Sequence, residues 1–294
     1  MEKLSREEMI RMARETRKNV TNAPVSQEEL DQYPVIMEHI LIPTRAGDAS
    51  AYLSYIENGT NLDVLILNFH GGGFIRERTA NDELFCRKLN HAIGCKIIDV
   101  DYRIAPDYPY PTAVHETYDV MKWAFANCEK LQIHAEKIIL LGHSSGGNLA
   151  ITDVMQANAE NTGLHPLALI VEYPPLDIYT DPEEKPKRGK GVPAERARLY
   201  NLYYCDRELQ KESYASPVYA SEKELKHFPP TLIMTAGMDD LCTEAEDFAL
   251  MLARAGNEVT LKRVLDTGHA FTIYRKEKHQ EGSNLIVRFI RNLL

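Results

Sequence analysis

From Asp63 to the C-terminus the chain repeats one unit, a short apolar run, a loop and a helical stretch, and no other feature narrows the fold so far. The runs fall at 64–69, 96–100, 137–141, 167–171, 231–234 and 259–264, and the helical stretches near 81–93, 111–125, 148–159, 244–255 and 278–294. Such alternation predicts a mostly parallel central sheet with helices on both faces. Ahead of it, residues 35–43 and 51–56 read as two strands with Gly47-Asp48 between them, which predicts an antiparallel pair.

Two stretches fall outside the alternation. Ser5-x-x-Glu8 and Ser26-x-x-Glu29 are capping-box patterns, with Leu4 and Met9, and Val25 and Leu30, placed as hydrophobic staples. Two short helices are therefore expected within the first forty residues. Between Val171 and Thr231 lie about sixty residues that open with Pro174-Pro175, pass through a charged stretch at 181–191 and include a helix-like segment at 194–204. There is no internal repeat and no second sheet pattern. The expectation is one domain, 1–294, carrying a helical cap made from about 1–40 and about 177–215.

The run at 137–141 leads into Gly142-His143-Ser144-Ser145-Gly146 and then a helix. This is G-x-S-x-G in a strand–turn–helix setting, where flanking glycines permit a tight, strained turn that lifts a serine hydroxyl above the sheet. Ser144 fits that frame as nucleophile; Ser145 does not, because His143 and Gly147 flank it at the required spacing. After the run at 64–69 comes His70-Gly71-Gly72-Gly73-Phe74. Three glycines clear the loop of side chains, so that backbone N–H groups can converge on an oxyanion. The amide of Ser145 is the expected third donor. A serine needs a base and the base an orienting acid. Asp239-Asp240 follows the run at 231–234, and His269 follows the run at 259–264, so candidate acid and base both lie at C-terminal ends of strands. His143, beside the serine, is expected to point away from it. Between Asp239 and Asp240 the residues alone do not choose.

Taken together, His70–Phe74, Asp101-Tyr102-Arg103-Ile104-Ala105-Pro106 with Tyr108-Pro109-Tyr110-Pro111, Gly142–Asn148, Ser216-Pro217, Ala236–Leu241 and Gly268–Phe271 make a sequence that resembles the hormone-sensitive-lipase-like family of α/β-hydrolases. That family includes bacterial carboxylesterases and arylacetamide-deacetylase-like enzymes, and its Ser, Asp, His chain order is the one found here. The resemblance implies Ser144, Asp239 and His269 as the triad, the first residue after Ala-Gly-x being the acid, and the amides of Gly72, Gly73 and Ser145 as the oxyanion hole. Two positions depart from it: His143 and Ser145 stand where the family usually has Asp and Ala. The Tyr-Arg-x-Ala-Pro block reads as scaffold, since its prolines stiffen a long connection.

The reaction expected is serine carboxylesterase chemistry without metal or organic cofactor, and the resemblance implies short-to-medium-chain acyl or small aryl esters. Tyr200, Leu202, Tyr203 and Tyr204, with Met9 and Met12, offer an apolar and aromatic pocket wall, although helical aromatics also serve to hold a cap in place. Two other functions compete: a small-molecule amidase or deacetylase on the same triad, and a non-catalytic ligand-binding module. Ester and anilide substrates assayed side by side separate them.

Lys+Arg 34 against Asp+Glu 43 leaves −9, which disfavours a nucleic-acid partner. For the same reason the basic run 185–190 reads as a solvated loop. Five cysteines without a CxxC read as reduced core thiols, neither disulfide framework nor zinc site. No signal-peptide pattern and no run of eighteen apolar residues occurs, so the expected location is cytoplasmic with no membrane span. A homodimer stays open.

Overall fold

The computed structural model describes residues 5–18 and 24–294. Its strands are β1 (Ile36–Ile42), β2 (Ala49–Tyr55), β3 (Asn61–Phe69), β4 (Cys95–Asp101), β5 (Ile138–His143), β6 (Ala168–Glu172), β7 (Thr231–Ala236) and β8 (Val259–Val264). They form one sheet in the order β1-β2-β4-β3-β5-β6-β7-β8. The β1–β2 and β2–β4 pairs are antiparallel and every other pair is parallel, as the alternation and the Gly47-Asp48 turn predict.

The helices are α1 (Arg6–Lys18), α2 (Gln27–Asp31), α3 (Ala80–Ile93), α4 (Thr112–Ala126), α5 (Cys128–Leu131), α6 (Ser145–Ala159), α7 (Ala194–Tyr204), α8 (Cys242–Arg254) and α9 (His279–Leu293). Because strand side chains alternate, β3 serves two cores. Leu65, Leu67 and Phe69 join residues of α4, α6 and α8, whereas Val64 and Ile66 join Phe85 and Leu89 of α3 and Ile286 and Ile290 of α9. The central strands β5 and β6 are buried at every position, and this is why they read as unbroken apolar runs. The edge strand β8 is mostly exposed, and its Lys262 and Arg263 pair with Glu281 and Glu246. Charge of this kind discourages pairing with another chain.

Both capping boxes form: Glu8 and Glu29 each accept from the backbone N–H of the serine that starts the box. Leu4, the first staple residue, lies outside the described residues. α1 packs against α7, but α2 packs against α3, and residues 36–40, expected within the cap, already belong to β1. The difference has a simple cause: Arg87 of α3 donates to the carbonyls of Leu30 and Tyr33, tying α2 to the sheet layer. Cys86, Cys95, Cys205 and Cys242 are buried free thiols, while Cys128 is only half-buried. Among the described residues no helix is long and apolar enough to cross a membrane.

Candidate active site

At the C-terminal end of β5 the chain turns sharply at Ser144, with φ 50° and ψ −119°, before α6 begins. A non-glycine residue rarely adopts this conformation, and the surroundings must hold it there. The turn closes only because its flanks are bare. A Cβ on Gly142 would stand 2.2 Å from the Gly146 carbonyl oxygen, and one on Gly146 would stand 2.0 Å from that of Phe69. The Ser144 N–H donates to the Glu172 carbonyl at 2.9 Å, anchoring the turn to β6. Although Ser144 precedes a helix, its hydroxyl makes no capping bond. Its Oγ lies 3.0 Å from His269 Nε2 instead.

His269 Nδ1 in turn lies 2.6 Å from Asp239 Oδ2, and Asp239 is fully buried. The structure thus brings Ser144, His269 and Asp239 into one line from β5, β8 and β7. It also separates the two adjacent aspartates. Asp240 accepts the Arg188 N–H at 2.7 Å and faces the cavity rather than the histidine.

The glycine loop lies beside this line. Gly72 and Gly73 have φ values of 135° and 62°, and among the described residues their amides donate to no other group. Ser145 is the first residue of α6, where backbone N–H groups have no intrahelical partner. Tyr200 of α7 covers Gly73 so closely that a Cβ there would meet its ring at 2.2 Å. Gly73→Ala therefore has to displace both the loop and Tyr200. Its expected effect is a fall in kcat of about 10²–10³, the loss typical of one missing oxyanion donor. Steady-state kinetics on a chromogenic ester check this, with a melting curve to show that the fold survives.

These groups open onto a cavity of about 340 Å³ whose wall includes Tyr173, Tyr200, Ile273 and Tyr274. Tyr200 is where the aromatic pattern places it. Tyr203 and Tyr204, expected beside it, are not on this wall; both are 1% exposed and belong to the core. Tyr204 stacks on Phe74 with ring centroids 3.7 Å apart, and so anchors the end of α7 behind the glycine loop. Leu202 and Met12 are exposed, and Met9 packs on the core.

The basic run is a solvated loop only in part: Lys187 and Lys190 are exposed, whereas Lys185 is not. Lys185 is buried against Glu244 at 2.5 Å, and burial pushes that carboxyl above its ordinary value despite the ammonium beside it. Further along, the Lys190 N–H donates to the Met238 carbonyl at 2.8 Å, and the Lys190 carbonyl accepts the His269 N–H at 3.1 Å. With Arg188 on Asp240, residues 188–190 form a strap that joins the loop of the acid to the loop of the base. Asp240 in the loop after β7, Glu244 on α8 and Glu277 pair with the basic run, a partnership that net charge could not reveal.

His143 points away from Ser144, as expected, but into a buried polar chain. Its Nδ1 lies 2.5 Å from Glu172 Oε2 and its Nε2 3.0 Å from Asn68 Oδ1. Asn68 donates to Asp99 at 2.7 Å, and Arg78 donates to the other oxygen of Asp99. Sequence reasoning missed Glu172, Asn68 and Asp99; their signal was a polar residue within or ending an otherwise apolar run. Ser145 Oγ meets the Tyr102 hydroxyl at 3.2 Å, and that hydroxyl donates to the His70 carbonyl, so Tyr102 ties the glycine loop to the elbow. His70, stacked on Tyr102, is fully buried. Burial alone would lower its pKa, but hydrogen bonding to Asp101 and the charge of Asp82 outweigh it, and the imidazole is raised.

The profile of the α/β hydrolase fold family matches residues 66–273. The chain is an α/β-hydrolase of the hormone-sensitive-lipase-like family. It is 29% identical to an arylesterase of Saccharolobus solfataricus over 70% of this chain and 68% of that protein. It is 36% identical to human hormone-sensitive lipase, over 37% of this chain and 10% of that much longer protein. A hyperthermophilic esterase from Pyrobaculum calidifontis superimposes with a TM-score of 0.81 at 26% identity, covering 98% of this chain and 92% of that one.

Proposed function

We propose that this α/β-hydrolase is a serine carboxylesterase acting on short-to-medium-chain acyl or small aryl esters through an acyl-enzyme on Ser144. The observation that carries the reading is the line from Ser144 Oγ to His269 Nε2 at 3.0 Å and from His269 Nδ1 to Asp239 at 2.6 Å, opening on a cavity beside the bare glycine loop. The esterase and lipase names of its relatives support the same chemistry.

In this mechanism Ser144 Oγ attacks the ester carbonyl while His269 Nε2 takes its proton. Asp239 holds the imidazole with its Nδ1–H toward the carboxylate and stabilises the imidazolium. The amides of Gly72, Gly73 and Ser145 receive the oxyanion. His269 then protonates the departing alcohol, and in the second half it activates the water that releases the acid. The strap keeps the His269 loop against the Asp239 loop through both halves.

About 340 Å³ lies at the small end of ligand pockets. Tyr200 and the 177–215 segment close it from above, and with α1 they are the cap of the proposed enzyme. A series of p-nitrophenyl esters tests the size limit: kcat/KM is expected to peak at acyl chains of about four to eight carbons and to fall beyond, as the cavity fills. A maximum at twelve carbons or longer contradicts the reading. No turnover of any ester, with intact fold, sinks the esterase assignment itself.

A further inference from the structure

A second cavity, of about 460 Å³, lies on the other side of the sheet from α6, between α3 and α9. The cleft is open to solvent, with exposed Gln280 and Asn284 at its border. Leu84, Phe85 and Leu89 of α3 and Ile286 and Val287 of α9 make its apolar side. At its other side stand three basic groups, Lys88, Arg275 and His279.

Their partners are few. Arg275 donates to Asn81 Oδ1 at 2.6 Å and to the Pro24 carbonyl at 3.3 Å, and lies 3.7 Å from Glu29, which is itself engaged by the backbone of Ser26. Among the described residues, Lys88 forms neither ion pair nor hydrogen bond; its ammonium lies 5.4 Å from the centroid of the Tyr33 ring. The His279 ring likewise has no partner. The three repel one another: burial and Arg275 lower the Lys88 pKa, and burial, Lys88 and Arg275 lower that of His279. Glu29 faces both Arg275 and Lys88, so the two cations share a single carboxylate and one positive charge is in excess.

We propose that this cavity is a binding site for an amphipathic monocarboxylate, its hydrocarbon or aryl body against Leu84, Phe85, Leu89 and Ile286 and its carboxylate between Lys88, Arg275 and His279. One uncompensated cation suits a monoanion better than a doubly charged phosphate, and the apolar side suits a body that phosphate lacks. Ser144 does not border this cavity; Ile273 is the wall it shares with the first. The site thus stands apart from the esterase reading, although the acids released by that reaction are of the class it would hold.

The test is calorimetric titration of octanoate, octanamide and inorganic phosphate into the full-length protein, with Ser144 first blocked by a phosphonate so that the first cavity takes no part. Octanoate is expected to bind at least about tenfold more tightly than octanamide or phosphate, and Lys88→Gln to erase that preference. Equal binding of octanoate and octanamide, binding of phosphate as tight as octanoate, or a preference unchanged in Lys88→Gln each overturns the proposal. Melting curves confirm that the half-buried Lys88 site tolerates the change. Failure of the phosphonate to attach to Ser144 counts against the esterase reading alone; the Lys88 comparison is then made on the untreated protein.

Discussion

Ser144→Ala is expected to lower kcat for a chromogenic ester by about 10⁶, leaving the residual rate that binding and the oxyanion hole supply. Nothing else in the site replaces its Oγ. The neighbouring hydroxyl, Ser145 Oγ, is buried and bonded to Tyr102. Ser145→Ala deletes that bond but keeps the backbone amide proposed as an oxyanion donor, so a loss of at most about tenfold is expected. Kinetics on the two purified variants, with active-site titration to exclude wild-type carry-over, measure the contrast. Equal losses would remove Ser144 from its role.

The second large effect separates two adjacent carboxylates. Asp239→Asn replaces the acceptor of the His269 Nδ1 proton with an amide that can also donate, which favours the wrong tautomer; a fall in kcat of about 10⁴ is expected. Asp240→Asn retains an oxygen for the Arg188 N–H and is expected to stay within about tenfold of wild type. Each variant removes one negative charge at adjacent positions, so a change in net charge alone does not separate them. A reversed ranking moves the acid by one residue and breaks the line from Asp239 to Ser144.

Much of the fold was legible because its central strands are buried on both faces, and unbroken runs such as 138–142 then announce themselves. The candidate nucleophile and base were legible because each follows a strand within a glycine-marked turn, Ser144 between Gly142 and Gly146 and His269 after Gly268. The acid was legible only in part: Asp239 and Asp240 share the same strand end, and only the fold shows that one turns inward and the other meets the strap. α7 shows a different limit. Its aromatic residues share one face, so spacing could not tell Tyr200, which lines the cavity, from Tyr204, which stacks on Phe74. The α3–α9 cavity had no signature at all, since Lys88, Arg275 and His279 come together only when α9 packs on α3.

The strap has a consequence for how activity is acquired. Its bonds link Lys190 to Met238 and His269, positions far away in sequence that no helix or hairpin brings together. Closures of this range are among the slow ones in folding, because their chain entropy is lost before their contacts form. The sheet can be complete while residues 188–190 are still undocked, and such a chain would have the elbow and the glycine loop without a fixed histidine. Catalytic competence then depends on this docking as well as on the sheet. A single cut in the exposed part of the 177–215 segment could silence the enzyme while its core stays folded.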